Sequence, residues 1–113
     1  MNADTTISLS ELLAARDDPR LCVLDIRAPA IRASQPLENA FLPVVYAPGG
    51  ELRVRLLSFA ALLGNRHVVV IDDDQATAAQ ASRLLQSVEV EAVALEGGVE
   101  GWLDAIARLS LPP

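Results

Sequence analysis

The chain has 113 residues, half of them hydrophobic and about a fifth charged, which fits one globular domain and leaves little length for a second core. Nine basic against fifteen acidic residues give a formal net charge of −6, which repels nucleic acid and anionic lipid at long range and leaves protein partners open. With a single cysteine, Cys22, no disulfide can close within the chain; no apolar run reaches the ~20 residues of a spanning helix, and Met1 to Thr6 is polar, so the expected setting is the cytoplasm, away from membranes and nucleic acid.

Ser8-Leu9-Ser10-Glu11 has the spacing of a capping box and predicts a helix from Leu9 to Arg16, ended by Asp17-Asp18-Pro19. Leu21 to Asp25 is an apolar run of strand length without alternation, as expected of a strand buried on both faces of a parallel sheet. Pro29 and Pro36 leave room only for a short helical piece. Phe41 to Val45 reads as a strand, weakened by Pro43, and Pro48-Gly49-Gly50 as a turn. Glu51 to Leu63 reads as a helix, because Leu52, Leu56, Phe59 and Leu63 form one stripe; Gly64-Asn65 is its expected cap. Val68 to Ile71 is the clearest strand, and Asp72, Asp73 and Asp74 follow it. An Ala-rich helix is expected from Ala76 to Gln86, a last strand from Val90 to Leu95, a turn at Gly97-Gly98 and a final helix from Val99 to Arg108. Alternating strands and helices predict a parallel sheet with helices on both faces. The only aromatic residues are Phe41, Tyr46, Phe59 and Trp102, so the core must be mainly Leu, Val, Ile and Ala.

Three segments, taken in order, resemble the rhodanese homology domain. Val23-Leu24-Asp25-Ile26-Arg27 is similar to its first signature, an apolar strand ending in Asp-x-Arg. Leu95-Glu96-Gly97-Gly98, closing on Trp102, is similar to its Leu-Asp-Gly-Gly motif. Between them, Val68 to Ile71, a six-residue loop from Asp72 to Thr77 and a helix resemble the strand and loop that carry the family's active site. The resemblance covers about Ile7 to Ile106. It implies one domain over residues 1–113, a three-layer α/β/α fold, and a central, mostly parallel sheet of about five strands. It also implies that Asp25, Arg27, Gly97, Gly98 and Trp102 support the loop. For Asp25 and Arg27, a surface ion pair is the alternative.

The departures from the family pattern govern the functional expectation. Active members place a nucleophilic cysteine first in the loop, where this chain has Asp72; the sixth position, often arginine, is Thr77. Asp73, Asp74, Gln75 and Ala76 complete a degenerate loop. The family's Gly-His-Ile-Pro-Gly-Ala segment is replaced by Gln35-Pro36-Leu37-Glu38-Asn39-Ala40, and Ala30 stands where a glutamate is often found. Sulfur transfer needs a thiolate that takes a sulfane sulfur and holds it as a persulfide. A carboxylate forms no stable persulfide. Three aspartates at the mouth also repel an anionic donor: two unit charges ~8 Å apart at an effective dielectric of ~20 repel by roughly 2 kcal/mol. Asp72 is expected to fill the anion cradle itself, its carboxylate accepting loop amides as a structural cap. Cys22, second in a buried strand, is expected to be an inert small hydrophobe with a raised pKa.

Other chemistries fit less well. The acidic run after Val68 to Ile71 resembles the Mg²⁺-binding strand of a response-regulator receiver, and Leu24 to Pro29 the segment around its phosphoacceptor, but the two stand in reversed order. Asp72-x-Asp74 is similar to the start of haloacid-dehalogenase phosphatases, which want Thr or Val where Ala76 stands. Adjacent aspartates do not converge on one cation without further ligands, and His67 has no second histidine, so it reads as a structural or surface residue. Gly97-Gly98 lacks dinucleotide-site spacing. The expected function is therefore a catalytically inactive binding or regulatory module with an unidentified protein partner, no cofactor and no metal. A sulfurtransferase with an unusual loop and an acidic Mg²⁺-binding or phosphoacceptor module are the alternatives.

Overall fold

A computed structural model of the chain describes residues 6–34, 37, 44–46 and 52–110. The elements are β1 (Thr6–Ile7), α1 (Leu9–Ala14), β2 (Leu21–Asp25), α2 (Pro29–Ser34), β3 (Val44–Tyr46), α3 (Leu52–Leu63), β4 (His67–Ile71), α4 (Gln75–Gln86), β5 (Glu91–Leu95) and α5 (Gly98–Ser110). The capping box at Ser8 forms as its spacing predicts. The Glu11 amide donates to Ser8 Oγ at 3.1 Å, and the Ser8 amide to Glu11 Oε1 at 2.9 Å. α1 ends two residues short of Arg16, because the Arg16 amide tightens onto the Leu13 carbonyl and the chain leaves the helix. Phe41 to Pro43 and Pro48-Gly49-Gly50 lie outside the described residues.

Two local expectations need correction. β1 was not anticipated: two residues are too few for any periodicity, and their partners come from β5, with Thr6 opposite Ala94 and Ile7 opposite Leu95. Gly64 does not form a left-handed cap, since positive φ among the described residues occurs only at Glu89, Gly97 and Gly98. α3 instead ends in a tight turn that the Arg66 amide closes on the Leu63 carbonyl at 2.9 Å.

All five strands run parallel in the order β1-β5-β4-β2-β3. Side chains alternate between the two faces, and both faces are apolar, which is why the strands read as continuous hydrophobic runs. Cys22, Leu24, Val68, Val70, Ala92 and Ala94 point to one face, where Leu56 and Leu63 of α3 and Ala78, Ala81 and Leu85 of α4 cover them. Leu21, Val23, Val69, Ile71 and Leu95 point to the other, where Leu12 of α1 and Val99 and Trp102 of α5 close the core. The result is the expected three-layer α/β/α fold. Among the described residues no helix is long and apolar enough to cross a membrane.

The strand order locates the site. From β2 the chain moves outward to β3, whereas from β4 it moves the opposite way to β5. The carboxyl ends of β2 and β4, which are hydrogen-bonded neighbours, therefore flank the point where the winding reverses. Such a switch point is the usual ligand position in open parallel sheets.

Candidate functional site

Asp25 ends β2, and the chain continues beside β4, with the Ile26 amide donating to the Ile71 carbonyl at 3.2 Å. This contact sets Arg27 next to its own strand end. Its Nη2 lies 2.8 Å from Asp25 Oδ2 and its Nε 3.0 Å from Oδ1, while its backbone N–H donates to Oδ1 at 3.0 Å. Both side chains are 0% exposed, so the surface alternative for this pair is excluded. A fork of this kind holds a buried carboxylate rigidly because both oxygens receive charged donors.

The loop after β4 has three residues, Asp72, Asp73 and Asp74, where six were expected. Gln75, Ala76 and Thr77 already form the first turn of α4, because Asp74 is a strong N-cap. Its Oδ1 accepts from the Ala76 amide at 3.0 Å and its Oδ2 from the Thr77 hydroxyl at 3.0 Å. The capping carboxylate is thus Asp74 rather than Asp72. The signal was present in the sequence, as an aspartate placed directly before an Ala-rich run. Asp72 folds inward and its Oδ2 accepts from the Asp74 amide at 2.9 Å. Burial pushes the Asp72 pKa up most; the Asp74 amide pulls it down, and the charges of Asp73, Asp74 and Asp25 raise it further. Two amides at the mouth, those of Asp74 and Ala76, are therefore occupied by the loop's own carboxylates.

Gly97 and Gly98 form the floor. A Cβ on Gly98, at φ +59°, would stand 2.8 Å from the Asp72 carbonyl oxygen, so only glycine allows this approach. The Gly97 amide points at Gln75 Oε1 across a long 3.5 Å, a link between the start of α4 and the turn that sequence reasoning missed. Trp102, one turn further along α5, is buried against Leu12, Val99 and Ile71 and anchors that helix in the core. The site thus brings together Asp72 to Gln75, Gly97 and Gly98, with Asp25 and Arg27 at the adjoining strand end. Of the Gln35 to Ala40 segment, only Leu37 is described, and it is buried.

The fold has known counterparts. A family model for the rhodanese-like domain matches residues 8–105. The chain belongs to the rhodanese-like family. A crystal structure of the single-domain sulfurtransferase RDL2 of Saccharomyces cerevisiae superposes with a TM-score of 0.65 at 14% identity, covering 99% of this chain and 98% of that one. At that identity the likeness speaks for the rhodanese-like fold alone. Comparison with curated proteins finds no match.

Two further residues singled out in the sequence lie away from the loop of this rhodanese-like domain. Cys22 is buried in β2 among the residues facing α3 and α4, and burial raises its thiol pKa. His67 begins β4 at the opposite end of the sheet and is not solitary. Its Nδ1 lies 2.7 Å from Asp18 Oδ2 and its Nε2 3.0 Å from Glu91 Oε2. Arg20 extends the cluster, with Nη2 3.3 Å from Glu91 Oε1 and its amide donating to Asp18 Oδ1 at 2.8 Å. No local sequence pattern announces this cluster, because the partners of His67 are carboxylates far away in sequence.

Proposed function

We propose that this rhodanese-like domain does not transfer sulfur and serves as a binding or regulatory module for a protein partner. In this reading Asp72 occupies the position where active members carry the nucleophilic cysteine, and Asp25, Arg27, Gly97, Gly98 and Trp102 shape the remnant of that site. The observation that carries it is the Asp72 carboxylate turned onto the Asp74 amide, a donor that an anionic substrate would otherwise use. A carboxylate there supplies no polarisable nucleophile, and its charge opposes a thiosulfate dianion. The chain's only thiol, on Cys22, is buried and held in its neutral form by that burial.

The test is thiosulfate:cyanide transfer, read as thiocyanate, on wild type, Asp72→Cys and Cys22→Ser. In this assay a thiolate attacks the sulfane sulfur, the S–S bond breaks and sulfite leaves. Cyanide then removes the sulfur and regenerates the thiolate. The expected outcome is background turnover for wild type and Cys22→Ser, and a measurable gain for Asp72→Cys. Wild-type turnover that disappears in Cys22→Ser would overturn the reading in favour of the sulfurtransferase alternative.

A further inference from the structure

α3 buries Leu56 and Leu63 against the sheet, yet its other side keeps an exposed apolar patch. Val54 is 64% exposed, Leu62 71% exposed, Ala61 is exposed and Leu57 half-buried. At about 100° per residue these four fall on one arc of roughly 140°, centred opposite Leu56 and Leu63. Ser58 is the one polar position on that arc and Arg53 and Arg55 flank it on either side; a contiguous exposed apolar patch with a polar rim marks an interaction face.

The stretch of chain that carries this face is charged oppositely to the molecule. The chain carries −6 overall, but between Leu52 and Ile71 it has three arginines, Arg53, Arg55 and Arg66, and no acidic residue. At the C-terminal end of α3 a cleft of about 390 Å³ is lined by Pro19, Arg20, Ala61, Leu62, Asn65 and Arg66. The Arg20 Nε donates to the Asn65 carbonyl at 2.8 Å, which holds that guanidinium at the cleft. Arg66 is exposed and has no ion pair among the described residues.

We infer that the outer face of α3 and this cleft dock an acidic amphipathic segment of a partner protein. Its apolar side chains would cover Val54, Leu57 and Leu62, and its carboxylates would meet Arg66, beside Arg20, which already pairs with Glu91. A second copy packed face to face about a two-fold axis would set arginines against arginines, and the net charge opposes an anionic bilayer. An acidic segment satisfies both the apolar surface and the charge. The inference supplies a docking face to the binding-module reading. A wild-type sulfurtransferase carrying this face would defeat that reading and leave the face standing.

The test titrates ¹⁵N-labelled domain with a synthetic helical peptide of about 18 residues, Leu on one face and Glu on the other, beside a twin with Lys for every Glu. Saturable shifts confined to the amides of α3, Arg66 and Arg20 are expected with the Glu peptide and not with its twin. Leu62→Ser and Arg66→Glu should each weaken binding at least about tenfold while the melting temperature stays near that of wild type. Equal binding of both peptides, shifts mapping elsewhere, or no saturation would overturn the inference. So would a dimer in sedimentation that Leu62→Ser dissolves, or co-sedimentation with phosphatidylserine vesicles, each of which assigns the face to a different occupant.

Discussion

The two ends of the parallel sheet hold charge in opposite ways. At the carboxyl ends of β2 and β4, Asp25 and Arg27 form a forked pair with no solvent exposure, near the loop that Gly98 approaches. At the amino ends, Asp18, His67, Glu91 and Arg20 make a chain of contacts that stays partly in water. The difference teaches where this fold tolerates change. A buried pair is isolated from solvent screening, so removing one partner strands the other, whereas a wet network replaces a lost contact with water.

The largest expected effect comes from breaking the first pair. Arg27→Ala leaves the Asp25 carboxylate buried and should destabilise the domain by about 3–5 kcal/mol in urea unfolding, whereas Glu91→Gln at the wet end should cost under about 1 kcal/mol. Similar losses for both would erase the contrast. The glycine pair sharpens it within the site. Gly98→Ala drives a Cβ into the Asp72 carbonyl and should cost about 2–3 kcal/mol, with amide shifts in Asp72 to Asp74. Gly97→Ala, at φ +84° but with its nearest neighbour 3.7 Å away, should cost only the strain of about 1 kcal/mol.

The smallest effects concern pH, and the two ends should respond with opposite sign. The Asp72 pKa is raised, first by burial, so the folded state holds that proton more tightly than the unfolded chain. Its contribution is full below the ordinary carboxylate value of about 3.9 and is lost as pH rises through the raised folded value. Asp72→Asn should therefore match wild type near pH 3 and exceed it slightly, by less than about 1 kcal/mol, at pH 7. The Asp18 pKa is lowered, first by the Arg20 amide and then by the hydrogen bond to His67. Its contribution is present above the ordinary value and lost as pH falls through the lowered one. Asp18→Asn should thus lower stability at neutral pH and flatten the acid limb of the unfolding curve. Parallel pH profiles for the two variants would contradict these placements.

Much of this was legible in the chain itself. The apolar runs at Leu21–Asp25 and Val68–Ile71 announce doubly covered strands because both sheet faces demand hydrophobic side chains. Ser8 and Glu11 form a local box whose partners are three residues apart. The Asp-x-Arg and Gly-Gly segments name the family because their order and spacing survive. What depends on neighbours within a few residues, or on periodicity over a strand or helix, was set by the sequence alone.

Tertiary structure decided the rest, because it depends on residues that only folding brings together. β1 exists because β5 offers it backbone partners 88 residues away, as the register of Thr6 with Ala94 records. His67 found its carboxylates from the turn before β2 and the start of β5. The loop's short span required Asp74 to cap α4 and Gly98 to pass beneath Asp72. The stripe through Leu56 and Leu63 was legible in the sequence and is the side the sheet buries, but that Val54 and Leu62 on the opposite side stay in solvent emerged only with the fold, since an apolar residue outside the stripe could equally have met a neighbouring element.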